Sequence, residues 1–114
     1  MSDTDNMLSV LEQYLLPDVE DVAKRIADDF RRRRVEKSFT REVMAEKSGV
    51  ALSNITRFEQ KGLISLKNLL LLAMALGYLT EIRDIFASPK YSTTEELLQI
   101  RKNSGKKKAH TPKR

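Results

Sequence analysis

The stretch Phe39-Thr-Arg-Glu-Val-Met-Ala-Glu-Lys-Ser-Gly-Val-Ala-Leu-Ser-Asn-Ile-Thr-Arg-Phe-Glu-Gln-Lys-Gly62 decides how this chain folds. Thr40 offers a side-chain oxygen to the first turn of a helix through Lys47, with Val43, Met44 and Ala45 near its buried side. Gly49 suits the left-handed conformation that ends such a helix. A second helix is predicted from Leu52 to Gln60, with Ile55 and Phe58 facing inward and polar residues on its outer side. Gly62 closes it. Two short helices, one tight turn and one polar outward face are the reading from which the rest follows.

Outward from this centre, the periodicity stays helical. Val19, Val22, Ala23, Ile26, Ala27 and Phe30 trace one face of a helix from about Asp18 to Lys37. Met7, Leu8, Leu11, Tyr14 and Leu15 predict an amphipathic helix over 5–16, interrupted at Pro17. On the other side, Ser65 caps a helix through Leu76, apolar enough to be the central core helix. Thr80 opens a short helix through Phe86, and Pro89 stops it. Ser92 and Thr93 stand three residues before Glu95 and Glu96, two overlapping capping boxes that predict a last helix over Thr94–Arg101. After Asn103 the chain is Lys-rich and loses apolar periodicity, the signature of a disordered tail. No strand-like alternation and no internal repeat appears. The expected fold is all-α: five core helices with an N-terminal helical extension, a short C-terminal helix and a basic tail. The expected organisation is an acidic extension at 1–17, a core domain at 18–88, a helix at 89–103 and a tail at 104–114.

Composition narrows the function classes. The chain has 114 residues and no cysteine, which removes disulfides, thiolate metal sites and thiol nucleophiles. His110 is the single histidine and sits in the polar tail, without neighbours for a zinc site or a positioned base. No Gly-rich phosphate loop is present. An enzyme, a metal site and a bound cofactor are therefore not expected. The longest apolar run, Leu69 to Leu76, is too short to span a bilayer, and no basic flank marks a signal peptide, so a cytoplasmic protein is expected.

The formal net charge is +5, and it is unevenly spread. Residues 1–21 carry acids and no Lys or Arg; residues 101–114 carry only bases; Arg31 to Arg34 form a third cluster. Such clusters suit a polyanion partner, and equally a solubilising surface.

The pattern from Phe30 to Phe86 resembles the Xre-type, lambda-repressor-like helix-turn-helix family. The residues that carry the likeness are Phe30-Arg31 and Arg34, Phe39-Thr40, Glu42-Val43-Met44-Ala45, Ser48-Gly49-Val50, Ile55, Arg57, Phe58, Glu59 and Gly62, then Leu69, Ala73-Met74-Ala75-Leu76-Gly77 and Ile85-Phe86. The resemblance implies a five-helix domain that binds double-stranded operator DNA as a homodimer, as a nucleoid-associated regulator. It implies that Arg34 pairs with Glu59 to fix the second helix of the motif on its support. Two positions depart from the family: Arg41 stands where Gln is usual, and Ala51 where Ser or Thr often caps the recognition helix.

On this reading Arg57 and Ser53, one turn apart, face bases; Arg57 suits guanine O6 and N7. Leu52 and Asn54 are weaker base contacts, for a thymine methyl and for adenine or backbone. Arg41 and Lys61 are candidates for phosphate. Arg31, Arg32 and Arg33 cannot share one helical face, so at least one is expected to be free for phosphate. Ile82, Ile85 and Phe86, or Leu97, Leu98 and Ile100, or Leu8, Leu11 and Leu15, are competing dimer surfaces; for Ile85 and Phe86, packing on their own core is the favoured reading. Small members of the family also act as antitoxins, and Pro89 to Leu98 loosely resembles the C-terminal region of HipB-like partners of a HipA-like kinase toxin. An antitoxin that autorepresses its operon is thus the alternative to a plain repressor.

Overall fold

The computed structural model describes residues 18–106. The expected helix at 5–16 and the basic residues 107–114 lie outside that range. Six helices form among the described residues and no strand: α1 (Val19–Glu36), α2 (Arg41–Ser48), α3 (Leu52–Lys61), α4 (Leu66–Leu76), α5 (Leu79–Arg83) and α6 (Thr94–Asn103). The chain divides into two compact units at Leu79/Thr80.

The first unit is built by its caps and its apolar stripes. Asp18 accepts from the Asp21 N–H at 2.7 Å, Thr40 from Val43 at 3.1 Å and Ser65 from Asn68 at 3.2 Å, so three of its four described helices begin on a side-chain cap. The α3 helix does not: Ala51 provides no side-chain bond. Gly49 ends α2 in the left-handed region at φ 79°. Gly62 ends α3 at φ 70°, and a Cβ there would stand 3.2 Å from backbone atoms of Ala23 and Lys24. This position therefore answers to two demands, the left-handed turn and the close approach of α1.

The α1 terminus shows what periodicity left unread. Phe39 N–H donates to the Arg34 carbonyl and Ser38 N–H to that of Val35, a Schellman motif whose left-handed residue is Ser38, φ 60°. A serine without a glycine's freedom holds that turn.

The core joins Ala27 and Phe30 of α1, Met44 of α2, Val50 in the turn, Ile55 and Phe58 of α3, and Leu72 and Leu76 of α4. The rings of Phe30 and Phe58 meet at 5.4 Å between centroids, tilted by 51°. The α3 helix packs against α1 and α2, and α2 packs against α4. Fully burying Ile55 or Phe58 is worth about 1.5–3 kcal/mol each. That packing, not helix propensity, holds the ten-residue α3 in place. The expected stripe on α1 is only partly used: Ala27 and Phe30 are buried, whereas Val19, Val22 and Ile26 are exposed.

In the second unit α5 is shorter than its sequence pattern. It ends at Arg83, and Ile85 and Phe86 follow in turns. Arg83 grips the adjacent Asp84 through two hydrogen bonds of 2.8 and 3.0 Å, which raises the arginine's affinity for its proton and holds Asp84 below the usual carboxylate range. The expectation that Ile85 and Phe86 pack on their own core is not met: both are exposed, Phe86 by 94%. The α6 start follows the expected box: Thr93 accepts from Glu96 N–H at 3.1 Å, while the Glu96 carboxylate reaches back to the Ser92 N–H and hydroxyl at 3.2 and 3.0 Å.

Candidate nucleic-acid interface

The residues of α3 separate cleanly into two faces. Ile55, Phe58 and Glu59 are buried. Leu52, Ser53, Asn54, Arg57, Gln60 and Lys61 are exposed, with Thr56 half-buried. Among the described residues of the first unit, nothing bends or covers the outer face. Its residues line two shallow clefts. Leu52, Ser53, Thr56, Arg57, Gln60 and Lys61 border one along the helix; Asn54 and Arg57 border the other together with Leu63, Ile64, Ser65 and Asn68 at the start of α4. Arg57 belongs to both clefts.

Charge availability differs sharply among the basic residues. Among the described residues, neither Arg57 nor Lys61 has a carboxylate within ion-pair distance. Both cations are open to an external acceptor. Arg41 is different. Its Nε donates to Glu59 Oε1 at 3.1 Å, and its side chain is 33% exposed. From sequence Arg41 is a candidate for phosphate or a plain surface charge; the fold also makes it part of the scaffold, because the α2 start lies beside the inward face of α3.

The expected Arg34–Glu59 pair is present and bidentate, with Nε to Oε2 at 2.7 Å and Nη2 to Oε1 at 2.9 Å. Arg34 also donates through Nη1 to the Phe39 carbonyl at 2.8 Å, and Lys24 Nζ donates to the Glu59 carbonyl at 3.0 Å. A carboxylate only 1% exposed thus ties α3 to α1 and to the start of α2. The rest of the arginine run is dispersed around α1, as the helical period requires. Arg32 pairs with Asp29, and Arg33 Nε lies 3.3 Å from Glu36 Oε1 without the alignment of a hydrogen bond. Arg31 Nε stands 4.0 Å from Glu59 Oε1.

Two residues of the outer surface are not singled out from sequence, whereas Thr56 is expected on the exposed face. Gln60 follows Arg57 by three positions, so the helical period alone places it on this face. Asn68 lies eleven residues beyond Arg57 and reaches the same cleft only through the packing of α4, for which no local signal exists.

A two-helix unit with a buried inward face, a tight left-handed turn and a polar, cation-bearing outward face defines the helix-turn-helix class of DNA-binding proteins. Residues 30–82 match the family model described as Helix-turn-helix. The domain so delimited belongs to the Xre-type, lambda-repressor-like helix-turn-helix family, a family of DNA-binding transcription regulators. No curated protein and no solved structure matches the chain. No helix among the described residues is long and apolar enough to cross a membrane.

Proposed function

We propose that the protein is a sequence-specific transcriptional repressor that acts at the nucleoid, inserting α3 into the DNA major groove. The observation that carries this reading is the unpaired outward face of α3, held rigid by Ile55, Phe58 and Glu59 behind it. Arg57 pairs with guanine O6 and N7, and Ser53 bonds a base edge or a phosphate beside it. Leu52 meets a thymine methyl and Asn54 bonds adenine or the backbone. Arg41 and Lys61 hold phosphates on the flanks. Bound protein then blocks polymerase. Residues 18–88 form the DNA-binding domain, and 89–103 and the two ends are extensions to it.

One such helix reads only a few base pairs, so the active species is a homodimer with two half-sites one helical turn apart. The exposed Ile85, Phe86, Tyr91 and Leu98 of the second unit supply apolar surface for a protein partner. They support dimerisation, and also favour the second reading: an antitoxin that covers a toxin such as a HipA-like kinase and represses its own operon.

Selection of bound sequences from random duplex DNA tests the proposal. The expected product is a palindrome with half-sites about one turn apart. Arg57→Ala is expected to cost about 1–3 kcal/mol and relax one base pair per half-site. Equal loss on all sequences would instead place Arg57 on phosphate, and failure to enrich any sequence would end the regulator reading.

A further inference from the structure

We infer that the exposed apolar side of α1 is a docking surface for the chain's own N-terminal segment, residues 1–17, with Leu8, Leu11 and Leu15 seated on Val19, Val22 and Ile26.

The inference starts from a side of α1 left without a partner. Val19, Val22 and Ile26 are 85%, 41% and 44% exposed. Their spacing of three and four keeps them on one line of the helix. Seven residues past Ile26 the same line carries Arg33, whose Nε is shut off from solvent and has no hydrogen-bond acceptor among the described residues. Lys24 and Arg31, which reach towards Glu59 of α3, lie nearly opposite this line around the helix. The uncovered side is therefore turned away from α3, the helix offered to DNA.

The chain ahead of α1 carries what this side lacks. Leu8, Leu11 and Leu15 are spaced by three and four, as Val19, Val22 and Ile26 are. The helix expected at 5–16 would be about 18 Å long, and Ile26 lies about 10 Å along α1 from Val19. An antiparallel arrangement centred on Pro17 sets Leu15 by Val19, Leu11 by Val22 and Leu8 by Ile26. The connection suits such a reversal. Pro17 disfavours helix at the residue before it, and Asp18 is extended, φ −90° and ψ 170°, while it caps α1. A link of about two residues is enough to join two antiparallel helices.

Charge agrees with this direction. Residues 1–16 carry Asp3, Asp5 and Glu12 and no Lys or Arg, whereas Arg31 to Arg34 crowd the far half of α1. The antiparallel direction carries Asp3 and Asp5 towards the Arg33 end of the line. The short connection also favours this segment over a second copy. It holds the segment at about millimolar local concentration, which a free chain in dilute solution does not reach. The docked segment braces α1, the support of α3, and leaves the outer face of α3 open.

The test exploits the absence of native cysteine. Two double variants of the full chain, Leu8→Cys with Ile26→Cys and Leu8→Cys with Asp28→Cys, are treated with a short bismaleimide and followed by gel mobility. Asp28 is level with Ile26 on α1 but points to the other side. The Ile26 pair is expected to link within one chain about tenfold faster than the Asp28 pair, because docking raises local concentration on one side only. Equal rates overturn the inference, and so does a product linked between two chains, which would give this side of α1 to a second copy. Leu8→Ser, Ile26→Ser and their combination provide a second measurement. Each single variant is expected to lower the melting temperature, and the combination by clearly less than the sum. Additive losses overturn the contact. Neither measurement uses DNA, so its failure leaves the regulator reading standing, and failure of DNA selection leaves this contact standing.

Discussion

Removing the Glu59 carboxylate is expected to cost far more than the loss of one side chain from a ten-residue helix suggests. In Glu59→Ala, Arg34 loses both of its charged hydrogen bonds, yet stays buried beneath α3. Arg41 loses a third. Hydrogen bonds to charged groups are worth about 1.5–3 kcal/mol each, but much of that offsets the desolvation of the two ions and does not appear as net stability. What the substitution exposes is the stranded guanidinium, a loss of about 3–5 kcal/mol when one member of a buried pair is deleted. Domains of this size are stable by about 5–15 kcal/mol in total, so the variant loses a large share. Urea unfolding followed by circular dichroism reads this directly, as a fall in midpoint at unchanged m-value. DNA binding weakens in parallel, through the folded fraction. Replacing both members, in Arg34→Leu with Glu59→Leu, is expected to be less damaging than Glu59→Ala, since no buried charge remains unpaired. A Glu59→Ala variant within about 1 kcal/mol of wild type, or a double variant whose loss is the sum of the two singles, would refute the buried-pair reasoning.

Two further substitutions address the backbone. Ser38 holds a left-handed turn at φ 60°, a conformation that costs an L-residue about 1–2 kcal/mol. Ser38→Gly removes that strain at a smaller entropic cost, and thermal unfolding is expected to show a gain of about 0.5–1 kcal/mol. Ala51 occupies the N-cap of α3 in extended conformation, φ −60° and ψ 141°, without a side-chain bond. Ala51→Ser provides one, and a gain of about 0.5–1 kcal/mol in unfolding free energy is expected; no gain would mean that the α3 start is already satisfied by solvent.

Most of the first unit was legible because its instructions are local. Thr40 and Ser65 cap helices where their side-chain chemistry predicts, as Thr93 does in the second unit, and Gly49, Gly62 and Gly77 take the left-handed positions at helix ends. Ile55 and Phe58 are buried at the expected spacing. What periodicity cannot report is which apolar stripe finds a partner. Val19, Val22 and Ile26 continue the stripe of Ala27 and Phe30, but the buried side of α1 runs through Ala27, Phe30 and Arg34 and leaves them exposed. Ile85 and Phe86 have the right spacing for a fifth core helix, yet α5 stops at Arg83 before it reaches them.

The ionic hub under α3 carries the same lesson into the interface. Family resemblance implies the Arg34–Glu59 pair, whereas Arg41 reads from sequence only as a phosphate candidate or a surface charge, because nothing local to Arg41 names its partner. Eighteen residues separate Arg41 from Glu59, and only the packing of α2 on α3 brings them to 3.1 Å. That contact changes the meaning of the arginine. A guanidinium tethered at Nε has its remaining N–H groups aimed in one direction, so less entropy is lost when they meet a phosphate. The position that departs from the family, Arg for Gln, thus couples the stability of α3 to the charge offered on its flank. A change at Arg41 is expected to move folding and DNA affinity together, whereas a change at Lys61, which has no ion pair among the described residues, moves affinity alone.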